Sequence, residues 1–219
     1  MSFNVAIDGP AGAGKTTIAK HVAAKKGYVY VDTGAMYRAM ALYFIRAGFD
    51  ASDETKIAAS VDEISVVLKY EDGVQHVILN GEDVTGLIRT EEVGNMASAS
   101  SVYAPVRTKL VALQQELAKT TDIIMDGRDI GTVVLPNADV KVYLTASVEC
   151  RANRRYKELI EKGMEADLEQ IAKDIEERDY RDMHRDNSPL KQADDAVLVD
   201  SSDMTIEEVV NTIVGLCEK

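Results

Sequence analysis

The stretch GPAGAGKTT, from Gly9 to Thr17, has the spacing of a phosphate cradle: Gly9, four residues, then Gly14, Lys15 and Thr16. Glycines let the backbone N–H groups of residues 11–16 turn inward around a β-phosphate. Lys15 adds a point charge for the β- and γ-phosphates, and the Thr16 hydroxyl is placed to reach Mg²⁺. The competing reading is a fortuitous glycine-rich turn. The apolar run FNVAI before it and a helical segment after it supply the strand–loop–helix context that the cradle requires. Gly9, Pro10, Ala11, Gly12, Ala13, Gly14, Lys15, Thr16 and Thr17 are therefore expected to bind ATP, with Thr16 as a metal ligand and Mg²⁺ as the cofactor.

A second set of cations has no use in a nucleotide cradle alone. RDYRDMHRDNSPL, beginning at Arg178, interleaves Arg178, Arg181 and Arg185 with Asp179, Asp182 and Asp186. A solvated helix face laced with ion pairs is the plain reading, but such pairs contribute only ~0–1 kcal/mol each. On a helix Arg178, Asp182 and Arg185 fall at i, i+4 and i+7, in one stripe, with Asp179 and Asp186 turned away from it. VDTGAMYR puts Asp32 and Thr33 at a strand end and Arg38 on the following helix, and MDGRD puts Arg128 and Asp129 after another strand. Asp126 in that segment could hold a Mg²⁺-bound water or simply cap a turn. CRANRRYKELIEKG places Arg151 and Arg155 one helical turn apart, either for a nucleotide or as exposed charge.

These residues need a scaffold. FNVAI, GYVYV, DIIM, DVKVYL and AVLV read as strands, and their near-continuous apolar character suits a parallel sheet covered on both faces. Helices are expected over about 15–26, 35–47, 91–103, 106–119, 147–162, 165–185 and 205–217. Thr205 with Glu208 has capping-box spacing. Ile64 to Thr85 departs from the βα alternation, reading as three short antiparallel strands with Asp72-Gly73 and Asn80-Gly81 at the turns. The fold class is α/β: a P-loop NTPase fold with a five-stranded parallel sheet, flanking helices and a small antiparallel insert. In doubly wound sheets ligands sit beyond the carboxyl ends of the strands, which directs the Asp32 and Asp129 segments to the same edge as the cradle.

The 219 residues carry a formal net charge of -12, with 46% apolar and 28% charged residues, the balance of a soluble globular chain. That charge argues against a nucleic-acid or anionic-membrane surface. No apolar run approaches the ~18 residues of a membrane span, so a cytoplasmic location is expected, and the small size without an obvious apolar surface stripe points to a monomer. The two cysteines and three histidines have no metal-ligand spacing. A GTPase switch would need the NKxD base-reading motif, which is absent, and a DxxG motif near its γ-phosphate sensor, which is not found there. A regulatory ATP-binding module remains an alternative, although it would not need the second anion-binding set.

Taken together, IDGPAGAGKTT, VDTGAMYRA, IRTEEVGNMAS, DGRDIGTVVLPNADVKVYL and ERDYRDMHR closely resemble the bacterial cytidylate kinases, in order and over nearly the whole chain. The resemblance implies phosphoryl transfer from ATP to CMP or dCMP on one domain spanning 1–219. Its core would lie at about 1–37, 86–147 and 165–219, its NMP-binding insert at about 38–85 and a short helical lid at about 148–164. It also implies that Ser98, Arg107 and Asp129 read cytosine, with Thr33 beside the base and Asp32 at the strand end. Arg38, Arg128 and Arg185 would hold the acceptor phosphate, and Arg178 and Asp182 the sugar. By analogy with adenylate-kinase-like lids, Arg151 would lie on adenine and Arg155 on the transferred phosphoryl group. Lys15, Arg128, Arg155 and Arg185 would be the catalytic cations. UMP or AMP as acceptor stays open as an alternative.

Overall fold

The apolar runs become the strands of one five-stranded sheet. They are β1 (Asn4–Asp8), β2 (Val29–Asp32), β6 (Ile123–Gly127), β7 (Val140–Thr145) and β8 (Val197–Asp200), in the order β2-β6-β1-β7-β8. The β1–β6, β1–β7 and β7–β8 ladders are parallel. The computed structural model describes residues 2–71 and 74–218. Two compact units divide the chain: Val31–Thr120, and Ser2–Tyr30 together with the residues from Thr121 onward. Among the described residues no helix is long and apolar enough to cross a membrane.

In the unit carrying β1, Val5, Ile7, Ile124, Val142 and Leu144 fill the sheet interior against helices α1 (Lys15–Lys26) and α8 (Ile206–Leu216). Such burial is what drives the sheet and helices together. Helices α6 (Val148–Glu161) and α7 (Leu168–His184) pack on each other. The expected capping box is present: Thr205 accepts from the Glu208 N–H, while the Glu208 carboxylate accepts from the Thr205 N–H at 2.8 Å.

The Val31–Thr120 unit is built on the antiparallel sheet β3 (Val66–Glu71), β4 (Val74–Leu79) and β5 (Glu82–Asp83). Its β4–β5 turn has Asn80 at φ 48° and Gly81 at φ 90°, the left-handed pair that a tight hairpin requires. The Asp72-Gly73 turn lies outside the described residues. Helices α2 (Thr33–Arg46), α3 (Glu54–Ser60), α4 (Glu91–Ser100) and α5 (Ala104–Ala118) complete the unit. One apolar core runs from Ala35 to Leu110 around Phe44, Met36, Met40, Ile64 and Ile88. The segment expected as an insert over 38–85 thus shares its interior with residues on both sides of it. Helix α3 is an addition to the sequence reading. It is short, capped by Asp53, and buries only Ile57 and Ser60, too few residues to make a period.

The tip of β1 carries a buried carboxylate. Asp8, 4% exposed, accepts from the N–H groups of Ile130 and Gly131, both at 2.7 Å, and so closes the π-helical turn Ile130–Val134 that follows β6. Burial pushes the Asp8 carboxyl up to about 6. The Gly131 and Ile130 N–H groups oppose this, Asp129 adds to it, and Lys15 opposes it again. Because this value lies above the ordinary 3.8, the folded chain retains a proton between about pH 4 and 6 that the unfolded chain has lost. Stability from this residue is therefore present at low pH and lost as pH rises through about 6, a cost on the order of 3 kcal/mol at pH 7. Asp8→Asn cannot titrate, so its melting temperature relative to the parent should rise by roughly 5–10 °C between pH 4.5 and 7.5. A flat difference across that range would mean that Asp8 titrates normally. Independently, Thr205→Ala should cost about 1 kcal/mol through the lost cap, lowering the melting temperature by about 2–4 °C.

Candidate active site

The turn from β1 into α1 permits little besides glycine. Gly9 has φ 149°, and a Cβ there would stand 1.9 Å from the Leu144 carbonyl oxygen, so the loop lies directly against β7. Gly12 and Gly14 are also left-handed, at φ 76° and 89°. Gly14 caps α1 without a side-chain hydrogen bond, and the first turn of the helix has no acidic residue. The amide groups at this end thus keep their positive field for an incoming anion. Lys15 is buried and donates to the Pro10 carbonyl at 2.7 Å, bending back across its own loop. Burial and then Arg128 push its ammonium down to about 7, against the pull of Asp126, Asp8 and Asp182. Thr16 Oγ1 donates to Asp126 Oδ2 at 3.0 Å, and the Tyr30 hydroxyl donates to Asp126 Oδ1 at 2.7 Å.

The register of the sheet explains why a second charged cluster lies in the same unit. Asp8 pairs with Gly127 and with Tyr143, so β6 and β7 reach the edge where the loop begins, and Arg128 and Asp129 follow at once. Arg128 Nε donates to Asp182 Oδ2 at 2.8 Å. Burial works to raise the Asp182 carboxyl, but the Arg128 charge and hydrogen bond, with Arg178 and Arg185, hold it below the ordinary value. Arg185 stands 3.9 Å from Asp129 Oδ1 and donates through Nε to the Ser188 carbonyl. Arg128, Asp129, Arg178, Asp182 and Arg185 are thereby brought together.

Two details differ from the expected helical stripe. Helix α7 ends at His184, and Arg185 is extended at φ -69° and ψ 143°, so it reaches Asp129 because the backbone leaves the helix there. Asp179, expected to turn away, is buried because it accepts from Arg151 at 2.6 Å. Arg151 is itself 3% exposed. Its other N–H groups go to the carbonyls of Ala146 at 2.9 Å and Ala11 at 3.0 Å, which fastens α6 and α7 to the P-loop backbone. Arg155 lies on the surface, its side chain 50% exposed and paired with Glu158. The guanidinium that approaches Gly14, 4.0 Å from where a Cβ would sit, belongs to Arg154, which spacing alone did not single out.

The Val31–Thr120 unit carries the remaining residues of interest. Asp32 caps α2 by accepting from the Ala35 N–H at 2.9 Å and also accepts from Arg89. Gln75 on β4 accepts from the Asp32 N–H at 2.9 Å, which ties the antiparallel sheet to the start of α2. Burial, then Asp32, pushes the nearby Tyr70 phenol up to about 12. Thr33 is buried at the first position of α2. Arg38 donates to the Ile88 carbonyl at 3.4 Å and lies over Gly94, where a Cβ would meet it at 3.2 Å. Arg107, buried, lies 5.6 Å over the Tyr37 ring and donates to the Ser101 carbonyl on the segment following Ser98. Arg89, Gln75, Tyr30 and Asp8 were not distinguishable in the sequence. Each owes its place to a partner more than 40 positions away.

Residues 5–219 match the family model described as cytidylate kinase. The cytidylate kinase of Leuconostoc mesenteroides is 52% identical over 99% of this chain and 97% of its own length. That of Caldicellulosiruptor saccharolyticus is 49% identical over 99% and 96%. In fold, the chain is similar to a gluconokinase from Sinorhizobium meliloti, at 12% identity, TM-score 0.52 and coverage of 99% and 92%. It is likewise similar to a shikimate kinase from Bacteroides thetaiotaomicron, at 14% identity, TM-score 0.51 and coverage of 99% of each chain. With the P-loop geometry and the family match over almost its full length, the chain belongs to the cytidylate kinase family.

Proposed function

We propose that the protein transfers the γ-phosphoryl group of ATP to CMP or dCMP, giving ADP and CDP or dCDP. Family membership supports the reaction class. The observation that carries the proposal at the level of chemistry is the pairing of a P-loop with a separate arginine–aspartate cluster in the same unit. One phosphate chain needs the first, and a second anion needs the other.

On this reading the P-loop amides and Lys15 bind the β- and γ-phosphates. Arg128, Arg185 and Arg38 neutralise the acceptor phosphate, and Arg178 and Asp182 contact the sugar. Two unit charges brought to ~4 Å repel by about 4 kcal/mol at an effective dielectric of 20, so fixed cations are the main requirement. No general base is needed, because the attacking phosphate oxygen is already ionised; positioning for in-line transfer does the rest. Bound together with ATP, Mg²⁺ would supply neutralisation of the phosphate charge. Thr16 and Asp126 fit it as oxygen donors. Among the described residues no group of three His, Cys, Asp or Glu side chains forms a cage, which suits a cation held largely by phosphate and water. Arg151 serves the ATP site through the Ala11 backbone. Arg155, in an exposed ion pair that is cheap to exchange, is available to the transferred phosphoryl group.

Cytosine offers an N4 amino donor with N3 and O2 acceptors. Asp129 accepts from the amino group while Arg107 and Ser98 donate to the ring. The family resemblance assigns Thr33 a place beside the base, with Asp32 at the strand end before it. Uracil reverses two of these groups, and each buried mispairing costs on the order of 1–3 kcal/mol. Mg-ATP consumption with a panel of nucleoside monophosphates should therefore show at least about tenfold higher kcat/KM for CMP than for UMP. Asp129→Ala should erode that ratio, whereas Arg185→Ala should depress turnover of both acceptors alike. Equal use of UMP would refute the base-reading roles, and ATP consumption indifferent to any acceptor would favour a regulatory module.

A further inference from the structure

Asp129 opens the π-helical turn Ile130–Val134 at φ -147° and ψ 25°, yet its carboxylate makes no capping hydrogen bond to that turn. An aspartate at such a position ordinarily caps its own N–H groups. Here Asp8, at the tip of β1, does so instead. Its two oxygens take the N–H groups of Ile130 and Gly131, the residues immediately after Asp129, and the Asp129 carboxylate is directed toward Arg185. Gly131 permits the approach: a Cβ there would meet Asp8 Oδ2 at 3.3 Å and Lys141 Cδ at 3.2 Å.

We propose that Asp8 is a positioning residue that sets the acceptor preference, by holding the Arg128–Asp129 segment so that the Asp129 carboxylate is presented to the base instead of being consumed by its own backbone. The inference rests on the base-reading role proposed above for Asp129. Both hydrogen bonds of the Asp8 side chain run to this turn and neither to the P-loop, although Asp8 adjoins that loop in sequence and its charge reaches Lys15. That loop has its own fastenings: Gly9 against the Leu144 carbonyl, Lys15 on Pro10, and Arg151 on Ala11. Without Asp8 the two amide groups of the turn lose their acceptor, and the nearest remaining carboxylate in the chain is that of Asp129. The side chain that reads the base would then swing back to cap the turn.

The test uses Asp8→Asn and Gly131→Ala. Asparagine keeps the volume but turns an NH₂ group toward one of the two amide donors. Alanine at 131 disturbs the same contact from the other side, and decides the matter should Asp8→Asn not fold. With saturating Mg-ATP, each variant should raise KM for CMP by about tenfold and cut the CMP to UMP ratio of kcat/KM at least about fivefold, with KM for ATP within about twofold of the parent. In an Asp129→Ala background, Asp8→Asn should change that ratio less than about twofold, since both substitutions remove one function. An unchanged ratio in a folded variant, or parallel rises in both KM values without loss of preference, would overturn the proposal and leave Asp8 a fold element. A failure of the Asp129 assignment itself would be seen separately, in a parent enzyme with no CMP preference.

Discussion

The carboxylate at the tip of β1 is the constraint on which the P-loop unit depends. Parallel strands ending together project their last side chains into one crowded edge, and Asp8 is buried there. A charge so placed must find donors. It finds them in the backbone that leaves β6, and in doing so bends that backbone into a π-helical turn and fixes where Arg128 and Asp129 emerge. Gly131 gives that contact room, with a Cβ there meeting Asp8 Oδ2 at 3.3 Å, whereas Gly9 is required by the contact of the neighbouring loop with the Leu144 carbonyl.

A similar logic organises the Val31–Thr120 unit around Asp32. This carboxylate caps α2, accepts from Arg89, and its backbone is held by the Gln75 amide. One residue at a strand end thereby sets the start of a helix and the placement of a β-hairpin. In both units an aspartate closing a strand acts on backbone amides before it can act on any ligand.

The sheet, the P-loop and most helices were legible in the sequence because each is written in local pattern: apolar runs, glycine spacing, and the Thr205–Glu208 cap. The π-helical turn was not, because Ile130–Val134 looks like another apolar β-branched run, and what bends it is Asp8, more than 120 positions earlier. Helix α3 was missed because a single buried isoleucine makes no period. The arginines were found by type, but their partners were not. A stripe on an ideal helix placed Asp179 outside the cluster, whereas Arg151 draws it inside, and the end of α7 at His184 puts Arg185 on extended backbone. Spacing fixes which residues share a face, and only tertiary partners fix what they touch.

Stability does not account for so many buried charges near the P-loop. The Arg128–Asp182 and Arg151–Asp179 pairs are both largely withdrawn from water. Pairs of this kind recover little beyond their desolvation cost, and apolar replacements of similar volume are often neutral or better. Asp8 goes further, since its ionised form weakens the fold at neutral pH. What these groups share is fixed orientation before any substrate arrives. Transfer between two phosphate chains needs cations already in place, because charges that had to be gathered during the reaction would spend the barrier lowering they supply. The Arg151–Asp179 pair holds the P-loop backbone at Ala11, Arg128–Asp182 fixes the guanidinium that follows β6, and Asp8 fixes the turn after it. A buried ionic network of this kind offers fixed orientation, the property that phosphoryl transfer demands of its cations, at the expense of a more stable apolar edge.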